Sequence, residues 1–189
     1  MDKKPLRIAV DIDGVLLDFI AGFIPVVQKR LGVTITHEAI VTHDLHLLFG
    51  IPFQDLWKIV NETLATQVFP VIPGAQEGMK AISHHHITII TSRPEEHRER
   101  TMENLAQYGF IYQDILFRKY LKKFTESDGT EVLIEDSLEE AIVASEFIPN
   151  VLLFQRPWNR FTLNVWNRLT PVMNWGEVVS EIRKIERNQ

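Results

Sequence analysis

The chain has 189 residues, enough for one sizeable hydrophobic core with a small inserted subdomain. Its 45% hydrophobic content argues for a folded globular protein, and its net charge of −5, with both signs mixed along the chain, argues against the clustered Lys and Arg of a nucleic-acid footprint. The sequence has no cysteine, which excludes disulfides and thiolate metal sites; it has no run near the roughly 20 apolar residues of a membrane-spanning helix, and no signal peptide after Met1-Asp2-Lys3-Lys4-Pro5. A cytoplasmic setting is expected, without membrane or polymeric nucleic-acid partners.

The first element is the apolar run Leu6–Val10, predicted to be a strand buried on both faces of a parallel sheet. It leads directly into Asp11-Ile12-Asp13-Gly14-Val15. Asp-Gly is a common turn pair. Ligands of open α/β sheets, however, bind at the C-terminal ends of strands, and paired carboxylates there call for a cation or a reacting phosphate.

Residues 17–72 then read as a helical insertion. One helix is predicted over Asp18–Arg30 with a kink at Pro25, and a second over Glu38–Leu48. A third opens at Pro52, with Phe53, Leu56, Trp57, Val60 and Leu64 on one face. Pro70, Pro73 and Gly74 mark the return, so the core comprises 1–16 and 73–189.

His84-His85-His86 precedes the second strand, Ile87–Ile90, at the end away from the acids. Consecutive histidines share neither a helix face nor a strand face, and the triplet reads as a surface loop. The strand ends in Thr91-Ser92-Arg93, where Ser92 opens a polar helix with Pro94 in its first turn and Gly109 at its end. A weaker strand, Ile115–Phe117, is followed by the basic pair Lys122-Lys123. The strand Val132–Ile134 runs into Glu135-Asp136, and Ser137-Leu138-Glu139-Glu140 has capping-box form. A strand at Val151–Phe154 and an amphipathic helix over Glu177–Arg187 complete the series. Trp158-Asn159-Arg160 recurs as Trp166-Asn167-Arg168, too close for a repeat unit. This alternation predicts a Rossmann-like, three-layer α/β fold with a parallel sheet and a small helical cap inserted after strand one.

If the strands are parallel neighbours, Asp11 and Asp13, Thr91-Ser92-Arg93, the lysine pair and Glu135-Asp136 converge on one sheet edge. That set suits phosphoryl transfer. A carboxylate cannot approach an anionic phosphate without charge compensation, which Mg2+ held by carboxylates supplies. A Lys and hydroxyl or backbone donors neutralise the remaining oxygens. One carboxylate can then attack phosphorus while a second acid protonates the leaving oxygen and later activates water.

In this order the groups resemble the four motifs of the haloacid dehalogenase (HAD) superfamily of phosphatases, and the insertion resembles that superfamily's helical cap. More narrowly, Asp11–Phe19 (DIDGVLLDF), Ile89–Pro94 (IITSRP), Ile134–Ser137 (IEDS) and Arg156–Arg160 (RPWNR) resemble the C-type 5′(3′)-deoxyribonucleotidases and their bacterial relatives. The resemblance implies that Asp11 is nucleophile and Mg2+ ligand, and that Asp13 is general acid/base with its carbonyl also on the metal. It implies that Thr91 binds the transferring phosphoryl group with Ser92 beside it, and that Asp136 completes the metal site with Glu135 as ligand or helper. The superfamily's lysine fits both Lys122 and Lys123, with Lys122 favoured. The acid pair opens with Glu where the nucleotidases usually have Asp, a departure that bears on the nucleotide assignment. Phe19, close to Asp13, and Trp57 are candidate substrate contacts, and Arg93 either holds an anionic group or faces solvent.

The implied activity is Mg2+-dependent phosphomonoester hydrolysis through an aspartyl-phosphate, with a nucleoside monophosphate as the small phosphorylated substrate. A sugar phosphate is the alternative substrate. A phospho-accepting receiver domain fits less well, because receivers place an acid pair first, the phosphorylated Asp later and the Lys near the end. A non-catalytic phosphate-binding protein is the third class.

Overall fold

The structure is a computed structural model that describes residues 4–124, 129–160 and 168–188. Trp166 and Asn167 of the recurring Trp-Asn-Arg triplet lie outside the described residues. Six strands, β1 (Arg7–Val10), β2 (His86–Thr91), β3 (Asp114–Phe117), β4 (Val132–Glu135), β5 (Asn150–Phe154) and β6 (Leu169–Val172), form one sheet in the order β3-β2-β1-β4-β5-β6. Every pairing is parallel, with Ile8 opposite Ile87 on one side and Val132 on the other. The chain runs outward from β1 to one edge, returns, and runs to the other. A crevice therefore opens at the C-terminal ends of the central strands.

The helices are α1 (Phe19–Leu31), α2 (Leu45–Phe49), α3 (Phe53–Thr66), α4 (Ala75–Ala81), α5 (Arg98–Ala106), α6 (Leu138–Ala144) and α7 (Trp175–Arg187). The two-residue period of the strands divides the core into layers. Ile8, Val10, Ile87, Ile89 and Ile134 face Met79 of α4, Leu105 of α5 and Val178 and Ile182 of α7. Ala9, Ile90, Leu133 and Leu153 face the other way, against Ala141 and Ala144 of α6 and Phe124. A one-residue slip of β1 would exchange these faces, so burial on both sides fixes the register that delivers Asp11.

Between β1 and β2 lies the helical insertion, with its own apolar cluster of Ile20, Phe23, Val27, Ile40, Leu56 and Ile59. Two adjacent crossings join it to the sheet: Ile72 N–H donates to the Leu16 carbonyl at 2.9 Å, and Asp18 N–H donates to that of Pro70 at 2.8 Å. Asp18 also caps α1 by accepting from Ala21 N–H at 2.9 Å, and Pro25 is accommodated inside that helix.

Several elements differ from the sequence reading. The helix expected over Glu38–Leu48 is a 3-10 turn, His37–Ala39, then a loop, then the short α2. Ile40-Val41-Thr42 is a β-branched run, and Thr42 Oγ1 binds Asp44 N–H at 3.0 Å, both of which compete with helix. The expected apolar face of α3 is split. Leu56 and Leu64 are buried, whereas Phe53 is 60% and Trp57 42% exposed. The polar helix expected from Ser92 begins only at Arg98, because Pro94 is extended at ψ 143° and a 3-10 turn intervenes. Ser137 does cap α6, but Glu140 does not complete the box: it accepts instead from Leu121 N–H at 2.5 Å. Strand β6 was not expected; it carries Pro171, which a sheet edge tolerates.

Candidate active site

A charged or hydroxyl residue stands at or directly after the end of each of the central strands β1, β2 and β4, and the sheet's register brings them together. Lys123 Nζ donates to Asp11 Oδ1 at 2.6 Å and to Glu135 Oε2 at 2.9 Å. Asp11, Glu135 and Asp136 are all buried, with carboxylate oxygens within 4.8 Å of one another. Glu135 is the most heavily bonded of the three, since its Oε1 also accepts from Asp136 N–H and Ser137 N–H. Among the described residues, Asp11 Oδ2 and Asp136 Oδ1 have no hydrogen-bond donor.

Three buried carboxylates thus face one ammonium. Burial, with Glu135 beside it, pushes the Asp11 carboxyl up to about 8 despite Lys123. Burial and then Glu135 and Asp11 push Asp136 up as well. Burial alone would lower the Lys123 ammonium, but the two paired carboxylates outweigh it and hold it above the usual range. Even with the Arg156 guanidinium acting on Asp136, negative charge exceeds positive in this cluster; a divalent cation would offset it, and oxygen donors suit Mg2+. Asp11 and Asp136, each with an oxygen to spare, fit as its ligands, with Glu135 behind them.

The lysine is placed by local backbone geometry. Leu121 has φ 56°, a left-handed conformation uncommon for leucine, and its N–H is tied to Glu140. The turn leaves Lys122 exposed and sends Lys123 inward. The preference for Lys122 is corrected on this ground.

Gly14 is the tightest point of the site. Its φ is +79°, and a Cβ there would stand 2.1 Å from Asp136 Oδ2. Only glycine lets the loop after β1 approach the loop after β4 this closely. Gly14→Ala is therefore expected to displace Asp136 and to abolish stabilisation by Mg2+, as read by thermal melts with Mg2+ and with EDTA. A parental Mg2+ response would show that Asp136 can step aside.

The Arg156–Arg160 segment fastens these two loops. Arg156 Nε donates to the Gly14 carbonyl at 2.7 Å, Trp158 Nε1 to Asp136 Oδ2 at 3.0 Å, and Asn159 Nδ2 to the Asp136 carbonyl at 2.8 Å.

The two hydroxyls differ in their surroundings. Thr91 is buried, and its Oγ1 accepts from Arg93 N–H at 3.1 Å. Ser92 lines the cavity, and its buried Oγ has no partner among the described residues, as suits a group that meets a ligand oxygen. Arg93 is also buried and so does not face solvent. Its Nε and Nη2 donate to the two carboxylate oxygens of Asp13, at 2.9 and 2.6 Å.

Above these charges lies a cavity of about 220 Å³, room for a small molecule. Its floor is Asp11, Asp13, Lys123, Glu135 and Asp136; its walls include Phe19, Ile40, Trp57, Val60, Leu64 and Trp158. Tyr120 and His43 also line it. Burial pushes the Tyr120 hydroxyl up to about 12 and His43 down, so both are held neutral near pH 7. Neither residue stands out in the sequence: each reaches the cavity from a loop whose path depends on tertiary packing. The exposed side of α3 that broke the expected apolar face is the wall that carries Trp57.

The histidine triplet lies elsewhere. His85 is buried rather than in a surface loop, and its Nδ1 accepts from Leu6 N–H at 3.2 Å. The neutral ring then carries its proton on Nε2, 3.2 Å from Glu186 Oε1. A metal at that nitrogen would have to displace the proton while Nδ1 stays occupied, so the His84–His85–Glu186 cluster reads as structural.

A family model described as "5′ nucleotidase, deoxy (Pyrimidine), cytosolic type C protein" matches residues 4–187. The chain is 27% identical over 164 residues to "Putative nucleotidase BH1399" of Halalkalibacterium halodurans, covering 84% of each chain. Among solved structures, a magnesium-bound "putative HAD-hydrolase" of Bacillus subtilis aligns with TM-score 0.65 at 14% identity, covering 95% of this chain and 99% of that one. A HAD family hydrolase of Deinococcus radiodurans with bound phosphate and sodium aligns with TM-score 0.64 at 15% identity, covering 97% of each. The fold is that of the HAD superfamily. Among the described residues, no helix is long and apolar enough to cross a membrane.

Proposed function

Because the chain belongs to the type C 5′-nucleotidase family within the HAD fold, we propose that it is a Mg2+-dependent phosphomonoester hydrolase whose substrates are nucleoside or deoxynucleoside monophosphates. The observation that carries the substrate class is the division of the cavity into a charged floor and an apolar, aromatic wall. Both cations at the cavity, Lys123 and Arg93, are engaged by carboxylates, so a second phosphate finds no spare cation among the described residues. A sugar hydroxyl gains little from Phe19, Trp57 and Trp158, whereas a nucleobase presents a flat face to them.

In the mechanism, Asp11 Oδ attacks phosphorus and forms an aspartyl-phosphate as the ester P–O bond breaks. The leaving oxygen takes a proton from Asp13, which then removes one from the water that hydrolyses the acyl phosphate. Ser92 Oγ and Lys123 Nζ face the phosphoryl oxygens, and Thr91 holds the Ser92–Arg93 turn in place. When bound at Asp11 and Asp136, Mg2+ supplies the charge that lets an anionic ester approach these acids.

The test is a panel of phosphomonoesters with Mg2+, scored by kcat/KM. Nucleoside monophosphates should exceed sugar phosphates by about tenfold or more, the discrimination an apolar contact supplies. EDTA should stop turnover and Mg2+ restore it. Equal or reversed ranking overturns the substrate class, and EDTA-resistant turnover overturns the metal.

A further inference from the structure

We propose that Arg93 is a positioning residue for the general acid: it holds the Asp13 carboxyl by a two-pronged grip and presents one of its oxygens to the leaving group. The inference rests on the phosphatase reading above and gives Arg93 a task that reading leaves unassigned. Both Asp13 oxygens accept from Arg93, Oδ2 from Nε at 2.9 Å and Oδ1 from Nη2 at 2.6 Å. Asp13 is the more open partner: its side chain is 30% exposed, against 2% for that of Arg93. The aspartate side can therefore move while the arginine side stays fixed.

What fixes Arg93 is drawn from three segments. Its own N–H is bound to Thr91 Oγ1 at 3.1 Å, and its Nη1 reaches Thr101 Oγ1 of α5 at 3.3 Å. Its guanidinium lies 4.6 Å from the centre of the Phe69 ring, on the chain returning from the helical insertion. Phe69 is itself held, because Tyr108 Oη donates to its carbonyl at 2.7 Å. A planar fork clamped this way is a preorganised donor pair that lysine cannot reproduce.

The reaction needs Asp13 to reach the ester oxygen. As the Asp11 Oδ–P bond forms and the ester P–O bond breaks, the proton passes from one Asp13 oxygen to the leaving oxygen. Arg93 keeps the other oxygen throughout, and regains both once Asp13 is a carboxylate. Without the fork, Asp13 is free to rotate in a partly open site, and protonation of the leaving oxygen becomes infrequent. A leaving group acidic enough to depart unprotonated is largely indifferent to that loss.

The test compares 4-nitrophenyl phosphate with phenyl phosphate, two esters of similar shape whose leaving groups differ in acidity. The readout is kcat/KM, which reports steps up to the first irreversible one and so excludes hydrolysis of the aspartyl-phosphate. In Arg93→Gln and Arg93→Lys, kcat/KM for phenyl phosphate should fall roughly 10- to 100-fold, part of what general acid catalysis contributes. The ratio of 4-nitrophenyl to phenyl phosphate should rise by about the same factor. In an Asp13→Asn background, Arg93→Lys should add no further loss on phenyl phosphate. If Arg93→Gln does not fold, Arg93→Lys, which keeps the buried charge, carries the comparison. Equal falls on both esters would assign Arg93 a structural or phosphate-binding role and overturn the proposal, as would an unchanged ratio or an additive cycle. A parent protein that hydrolyses neither these esters nor any nucleoside monophosphate would overturn the phosphatase reading itself.

Discussion

Asp11→Asn is expected to lower turnover of any phosphomonoester by roughly four to six orders of magnitude, the range seen when one member of a catalytic triad is removed from an enzyme. The same substitution should leave the metal-free fold at least as stable as the parent. Asn is isosteric with Asp, and Lys123 keeps its bond to Glu135 at 2.9 Å. What is removed is one of three buried carboxylates that share a single ammonium. Thermal melts in EDTA should give a melting temperature no lower than the parent's. Residual turnover of even a few per cent would sink the assignment of Asp11 as nucleophile. A large loss of stability would show that its role is to hold Lys123.

The pH dependence follows from the same cluster. The Asp11 carboxyl is raised by burial from 3.8 to about 8. Between these values the folded protein binds a proton that the unfolded chain has released, so stability declines as pH rises. The contribution is fully present below about 4 and lost above about 8, and Asp136, also raised by burial, acts in the same direction. In EDTA the parent's stability should slope downward over this window, and Asp11→Asn should flatten part of that slope. Saturating Mg2+ should flatten it in the parent by favouring the ionised carboxylates.

The strands were legible because burial on both faces leaves an unbroken apolar run, and Leu6–Val10, Val132–Ile134 and Val151–Phe154 fall within a residue of the observed strands. The acids after β1 and β4 were legible for a related reason: a carboxylate directly following such a run has few structural uses. The inner lysine was not legible. Which of two adjacent residues points inward depends on the left-handed turn at Leu121, and that turn is held by Glu140, 19 residues away in sequence. Glu140 itself carried a misleading signal, since its place after Ser137 fits a helix cap while its side chain is used elsewhere. Arg93 shows the same limit. Its sequence neighbours suggest an anion or solvent, and only the approach of the loop after β1 reveals the Asp13 carboxylate as the anion. The cavity wall was hidden for another reason. The helical periodicity of α3 counts apolar residues without separating those that face α1 from those, such as Trp57, that face the cavity.

Lys123→Met and Lys122→Met should differ as sharply as two neighbouring substitutions can. Lys123 is buried, 4% exposed at its side chain, and is paired with Asp11 and Glu135 at 2.6 and 2.9 Å. Its removal leaves Asp11 and Glu135 buried without their paired cation, a defect of about 3–5 kcal/mol when one partner of a buried pair is lost. For a chain of this length that corresponds to a fall of roughly 10 °C in melting temperature. The fall should be larger at pH 8 than at pH 6, because carboxylates that can take up a proton relieve part of the repulsion. It should be partly reversed by Mg2+, which replaces the lost charge without replacing the hydrogen bonds. Turnover should stay low even in saturating Mg2+, since a phosphoryl oxygen loses its ammonium partner. Lys122 is exposed, and its replacement should change stability by no more than about 0.5 kcal/mol and leave kcat/KM at the parental value. Paired melts and assays of the two variants decide the matter, and a larger effect from Lys122→Met would mean that the turn at Leu121 points the other way.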